Sequence, residues 1–305
     1  MKKILRISKL KSSNNIPTLQ AEEFRQTLMS YDDNSLFETE NFNDFFIHDL
    51  SAPNYKLKLP QPLYRNTANS LLIITNGKAI KSAGLDNYTI SNNSILLVPA
   101  GHITATSEIS KNASGFWLHF SDNFLSHTNI DISDWLAKPV IHFDENEMQN
   151  LIVLLKRMEA LNVNPQNTEL IKLYLATFLA EIKKSADFSQ SKQFTAPERV
   201  TLKFKRLLNL NVSKQKSVSF YAQELNVSPS HLNKSVKAIL GKSASQLIDE
   251  MLLLEAKVLI RKNKMSFSEI AFQIGFEDPS YFGRFFKKHT GFSPTEFRKM
   301  IDLSE

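Results

Sequence analysis

Pro229–Ile248, PSHLNKSVKAILGKSASQLI, and Pro279–Arg298, PSYFGRFFKKHTGFSPTEFR, are one unit written twice, fifty residues apart. Pro229/Pro279, Ser230/Ser280, Lys237/Lys287, Gly241/Gly291 and Ser243/Ser293 coincide, and Leu232/Phe282, Lys234/Arg284 and Val236/Phe286 keep step between them. Upstream, Tyr221–Ser228 (YAQELNVS) matches Ile270–Asp278 (IAFQIGFED) once Glu277 is allowed as an insertion. A short helical unit repeated within one chain implies two copies of one supersecondary element, here a helix-turn-helix.

Each copy carries the same mechanics. A first helix presents a small residue, Ala222 or Ala271, where a second helix must come close. Asn226 and Gly275 suit a turn that needs positive φ. Ser228 and Asp278 are good N-caps, and Pro229 and Pro279 suit the first helical position, where a missing N–H costs nothing. Helices over 229–240 and 279–289 then bury Leu232 and Val236, or Phe282 and Phe286. That leaves Ser230, His231, Asn233, Lys234 and Lys237 exposed on one, and Ser280, Tyr281, Gly283, Arg284, Lys287 and Lys288 on the other. The N-terminal part of such a helix reaches base edges and the remainder meets phosphate. Arg284 suits guanine and Asn233 suits adenine, both bidentately. His231, Lys237, Lys287 and Lys288 are the phosphate candidates. Between the copies, Ser243 and Gln246 form a cap, and Leu247, Met251, Leu254, Val258 and Leu259 recur at helical spacing over Ser243–Lys262. A helix of about twenty residues spans about 30 Å, close to the pitch of B-DNA.

Charge agrees with this reading. Residues 195–305 hold 18 lysines and arginines against 11 acids, whereas residues 1–194 hold 19 against 20. The positive excess therefore lies in the half that carries the repeat, as contact with a polyanion requires. The sequence has no cysteine, which excludes disulfides, thiol catalysis and Cys-ligated zinc. The N-terminal MKKILRISKLKSS has no apolar run behind its charges, and no stretch approaches the length of a membrane span, so a cytoplasmic location is expected.

The first half changes period. The segment IPTLQAEEFRQTLM is expected as a short helix. Ser70–Thr75, Lys78–Ser82, Tyr88–Ile90, Ser94–Val98 and Gly115–Phe120 are strand candidates. Asn76-Gly77 is expected as a hairpin turn, with Asp86-Asn87, Asn92-Asn93 and Pro99-Ala100-Gly101 as further turns. Many short strands at this spacing suggest a small sandwich or barrel. Asp144 and Glu147 then open an amphipathic helix through Leu151, Leu154, Leu155 and Met158. After a break at Asn162–Asn167 a second helix runs through Leu170, Ile171, Tyr174, Leu175, Phe178 and Ile182. Their stripes are wide enough to cover the strands and offer a seam to a second subunit. Ala186–Gln193 is the expected linker.

Residues 199–299, and SEIAFQIGFEDPSYFGRFFKKHTGFSPTEFRK above all, resemble the arabinose-operon regulator (AraC/XylS) family of bacterial transcription factors. The resemblance implies a seven-helix DNA-binding domain. Its base-reading sites match Ser230, Asn233 and Lys234 in the first unit and Ser280, Tyr281 and Arg284 in the second. Val236 stands where phenylalanine is common in the family, and Ser235 is smaller than usual. The N-terminal half looks like the cupin-type barrel of many members, followed by dimerising helices. The expected fold class is therefore α+β: a small cupin-like β-barrel over residues 1–143, a helical dimerisation segment and linker over 144–194, and an all-α domain with two helix-turn-helix units joined by a long helix over 195–305.

The implied partners are duplex DNA, RNA polymerase, a small-molecule effector and a second copy of the chain. No membrane, cofactor or metal enters this reading, and no catalytic residue is assigned. Two other readings remain beside the sequence-specific regulator. One is an enzyme in the barrel with a DNA-binding appendage; it is disfavoured because His102 and His119 stand apart with no H-x-H, and no catalytic set has informative spacing. The other is an architectural DNA binder governed by counterion release alone.

Overall fold

The computed structural model describes residues 18–19, 28–31, 44–52, 55–126, 132, 135, 138–185, 194–261 and 265–302. Strand β1 is Thr18–Leu19, β2 Met29–Tyr31, β3 Phe45–Asp49, β4 Tyr55–Leu57, β5 Tyr64–Asn66 and β6 Asn69–Asn76. Then come β7 (Ala79–Ala83), β8 (Asp86–Ile90), β9 (Ser94–Val98), β10 (Ile103–Ile109), β11 (Ser114–Phe120), the short helix α1 (Asp122–Leu125) and β12 (Val140–His142). They form two five-stranded sheets, ordered β1-β5-β10-β7-β8 and β12-β9-β6-β11-β3, and a separate β2-β4 pair. The expected strand-rich domain is thus built of open sheets rather than a closed barrel: among the described residues no strand pairing joins the two five-stranded sheets.

The sheet centred on β6 is covered on both faces, which explains why Leu71–Ile74 and Ile95–Val98 are unbroken apolar runs. Leu71, Ile73, Ile95 and Leu97 face one core, together with helices α2 (Glu145–Leu161) and α3 (Thr168–Ser185). Leu72, Ile74, Leu96 and Val98 face the other, against Ala79, Ala83 and Ile90 of the second sheet. Helix α2 starts on the capping box of Asp144 and Glu147, as the sequence indicates.

Several turns differ from expectation. Asn76-Gly77 closes no hairpin; the chain there leaves one sheet and enters the other, since β6 pairs with β9 and β11 while β7 pairs with β8 and β10. Gly77 has φ 90° and donates its N–H to Asn92 Oδ1 at 2.7 Å, so two corners are tied together. A hairpin and a corner both need positive φ, and the dipeptide does not distinguish them. The true hairpin turn is Gly84-Leu85, because Asp86 and Asn87 already pair with Ala83 and Ser82 in β8. Of the segment expected as a short helix, Thr18–Leu19 is strand, pairing parallel to β5, Leu28 is helical and Met29 opens β2, while residues 16–17 and 20–27 lie outside the described residues. The linker 186–193 also lies outside them.

The C-terminal half is all helix: α4 (Ala196–Asn211), α5 (Val218–Glu224), α6 (Pro229–Leu240), α7 (Ala244–Arg261), α8 (Phe267–Gln273), α9 (Pro279–Thr290) and α10 (Pro294–Asp302). These are the seven helices the resemblance implies. Ile103 of β10 shares their core, so the outer face of one sheet rests on the helical domain. At that boundary Arg65 donates to the Gly101 carbonyl and to Glu255 of α7, whose side chain is 1% exposed. Burial raises the Glu255 pKa, opposed by the Arg65 charge. Lys205 of α4 pairs with Asp86 beside it.

Removing one partner of a buried pair leaves the other charge uncompensated, at a cost of about 3–5 kcal/mol. Arg65→Ala should therefore destabilise the protein by roughly that amount in denaturant unfolding. Adding Glu255→Gln should recover much of the loss; an unchanged midpoint in Arg65→Ala would show that the pair holds nothing.

Candidate nucleic-acid interface

Both copies of the repeat fold alike, cap for cap. In the first, Ser217 Oγ accepts from the Phe220 N–H and opens α5; the chain turns at Asn226, φ 53°, and Ser228 Oγ accepts from the His231 N–H to open α6. In the second, Ser266 and Glu269 form a capping box on α8; the chain turns at Gly275, φ 80°, and the Asp278 carboxylate accepts from Ser280 and Tyr281 at 2.8 and 3.2 Å. Those bonds, that to Ser280 foremost, hold the Asp278 pKa below its usual value. Helices α6 and α9 each end on a left-handed glycine, Gly241 or Gly291. Ala222 and Ala271 are buried where the paired helices meet. The turn residues, caps and buried positions all match the sequence reading.

Helix α6 buries Leu232, Ser235 and Val236, and α9 buries Phe282, Phe285 and Phe286. The second unit is aromatic throughout, with Phe276 5.2 Å from Phe285 and Phe286 5.3 Å from Phe297 between ring centroids. The small Ser235, at the position of Phe285, is simply enclosed.

On the outer faces Ser230, His231, Lys234 and Lys237 are exposed, as are Ser280, Tyr281, Arg284, Lys287 and Lys288. The Arg284 side chain is 70% exposed; its guanidinium lies 3.8 Å from the Asp278 carboxylate and 5.9 Å from the Tyr281 ring centre. It is thus oriented by groups it can leave at little cost. Gly283 would meet nothing within 4 Å if it bore a Cβ, so no packing inside the protein requires glycine there. His289 packs on Phe285, with ring centroids 4.7 Å apart and planes tilted by 46°, and lies 3.9 Å from Asp249 of α7.

Asn233 differs from the other candidates. It is half-buried, donates to the Pro229 carbonyl at 3.2 Å and accepts from the Ala244 N–H at 3.0 Å. Its amide is already engaged within the protein.

Helix α7 joins the units. Its eighteen residues span about 27 Å, and ten of them are buried. A second joint was not legible in the repeat. Lys216, in the loop before α5, lies 3.8 Å above the Phe276 ring centre and donates to the Gly275 carbonyl. Burial lowers the Lys216 pKa, against the opposing pull of Glu277. A Cβ on Gly275 would sit 2.8 Å from the Ser213 carbonyl oxygen. The turn of the second unit is therefore seated directly on the loop that leads into the first.

The two histidines weighed as metal ligands, His102 and His119, lie in different surroundings. His102 is at the domain boundary and His119 is inside the sandwich, 3.3 Å from Ser70 Oγ; burial lowers their pKa values to about 4 and about 3.

Residues 221–300 match the family model described as a helix-turn-helix domain. The lactose operon transcription activator of Staphylococcus xylosus is 25% identical over 240 residues, covering 77% of this chain and 85% of that protein. The arabinose operon regulatory protein of Escherichia coli (strain K12) is 36% identical over 81 residues, 27% of this chain and 28% of that protein. The crystal structure of ToxT from Vibrio cholerae O395 aligns over 84% of this chain and 97% of that chain, at 19% identity and a TM-score of 0.40.

Gly275→Ala should strain the left-handed turn and push it off Ser213, costing about 1–3 kcal/mol in denaturant unfolding. Gly283→Ala, at an open helical position, should instead stabilise by up to about 1 kcal/mol. Equal effects at the two glycines would refute the seating described above.

Proposed function

We propose that this chain is a DNA-binding transcription regulator of the AraC family, a reading supported by its helix-turn-helix match and its operon-regulator relatives, and that it reads two successive major grooves on one face of the duplex. In this reading α6 and α9 are the recognition helices and α7 sets their spacing. The observation that carries it is the pairing of like-capped helices whose basic outer faces stay free while their inner faces and α7 share one core. Ser230 and Lys234 on α6, and Ser280, Tyr281 and Arg284 on α9, occupy the turns that reach base edges; Arg284 reads guanine O6 and N7. His231, Lys237, Lys287 and Lys288 meet phosphate and fix the register. Each protomer then recognises an asymmetric half-site.

The same proposal makes the protein an activator that contacts RNA polymerase, acting as a homodimer in the cytoplasm. The relative named as a lactose operon transcription activator supports activation, and Leu170 and Leu173, 39% and 66% exposed on α3, offer apolar surface for dimerisation. No helix among the described residues is long and apolar enough to cross a membrane. Regulation by a small-molecule effector in the N-terminal domain belongs to this reading too. Its support is Lys81, fully buried inside the sandwich, 3.1 Å from Thr106 Oγ1 and 4.7 Å from the Trp117 ring centre. Burial pushes its ammonium down to about 7. Among the described residues no carboxylate pairs with it; such an interior cation costs stability, and it is the group that an acidic ligand would neutralise.

Arg284→Ala should cost roughly 1–3 kcal/mol on the preferred site and relax discrimination at one base position. Lys287→Ala should weaken every sequence alike and flatten the salt dependence. Competition binding against single-base variants at fixed salt separates the two, and unaltered discrimination in Arg284→Ala would remove direct readout by that residue. In the N-terminal domain, Lys81→Met should raise the unfolding midpoint; a lower midpoint would make Lys81 a structural residue and remove the support for an acidic effector.

A further inference from the structure

The two units solve one local problem in different ways, and the difference identifies the role of a residue. Each recognition helix is followed by a glycine, a serine N-cap and a new helix: Gly241, Ser243 and α7 in the first unit, Gly291, Ser293 and α10 in the second. Both new helices carry the reciprocal cap expected of S-x-x-Q/E, from Ser243 with Gln246 and from Ser293 with Glu296. A helix's first residue has a backbone N–H with no acceptor in its own helix. In the first unit that residue is Ala244, fully buried, and Asn233 Oδ1 accepts its N–H at 3.0 Å. In the second unit the corresponding residue is Pro294, which has no N–H, and the position matching Asn233 is Gly283, which has no side chain. Donor and acceptor are present together in one copy and absent together in the other.

We propose that Asn233 is a positioning residue that clamps the recognition helix α6 to the start of the spacer α7, and that it reads no base. Its amide nitrogen is engaged as well, on the Pro229 carbonyl one turn back, at 3.2 Å. These two bonds take one hydrogen and one lone pair of the amide and hold its plane against the protein; turning that plane to meet adenine would leave the buried Ala244 N–H without an acceptor. The clamp sets the angle at which α6 leaves the helix that carries the second unit, so it acts on DNA through Ser230 and Lys234. This inference rests on the groove-reading proposal above.

The test uses full-length protein, with affinities measured for a selected site and for every single-base variant of it. Wild-type discrimination among these sequences is measured first and tests the groove-reading proposal separately. Asn233→Ala should lose roughly fivefold in affinity on all of them alike, the equivalent of one net hydrogen bond. Ala244→Pro alone should also weaken binding, because the ring carbon replaces a hydrogen aimed at Asn233 Oδ1. The double variant reproduces the second unit's arrangement, with proline at a helix's first position where it is well tolerated, and should return to within about twofold of wild type. Circular dichroism melts establish that each variant is folded at the assay temperature. A base reader behaves otherwise: Asn233→Ala would flatten preference at one position, and Ala244→Pro would not rescue it. That result, or an Asn233→Ala variant binding as wild type does, overturns the clamp.

Discussion

Helix α7 cannot exist as it does without neighbours over more than half of its circumference. Ala244, Leu247, Ile248, Met251, Leu252, Ala256, Val258, Leu259 and Ile260 are buried, leaving one strip from Gln246 to Arg261 partly exposed. Such a helix is a core element, not a tether. One part of its surface takes α6, another takes α8 and α10, and Glu255 meets Arg65 of the N-terminal sheet. Because packed interiors resist deformation, the two recognition helices are held as one rigid pair. The basic residues on their outer faces gain meaning only from that rigidity: a flexible joint would let either helix find a groove without fixing the other.

Two polar joints refine what the apolar core begins. Asn233 fixes α6 to the first turn of α7, and Lys216 with Gly275 seats the second unit's turn on the loop before the first. Both lie between units rather than on the outer faces. In the same way, the buried ion pair of Arg65 with Glu255 at the domain boundary touches α7 itself. Polar groups at such places orient elements that hydrophobic contact alone would leave free to slide.

Most of the C-terminal domain was legible because its signals are local. A cap, a left-handed turn residue and an i, i+4 apolar pair each report on a few neighbouring residues, and two copies let one check the other. Asn233 shows where this stops. From composition it is a base reader, and only its contact with Ala244, eleven residues away, shows its amide engaged. The pairing of Asn233 with Ala244, and of Gly283 with Pro294, was present in the sequence but is recognisable only once the contact is known. The N-terminal domain was less legible because its organisation is non-local. β10 escaped notice because Thr104 and Thr106 are buried polar residues that break any apolar alternation. Asn76-Gly77 has a hairpin's composition, yet the strands on either side belong to different sheets.

The central claim is that one protomer places two helices in successive major grooves on a single face. Hydroxyl-radical footprinting of the full-length protein on a fragment carrying one half-site addresses it most directly. The structure predicts two protected patches about one helical turn, or 10–10.5 base pairs, apart on the same side of the duplex. A single patch, or two on opposite sides, would contradict it.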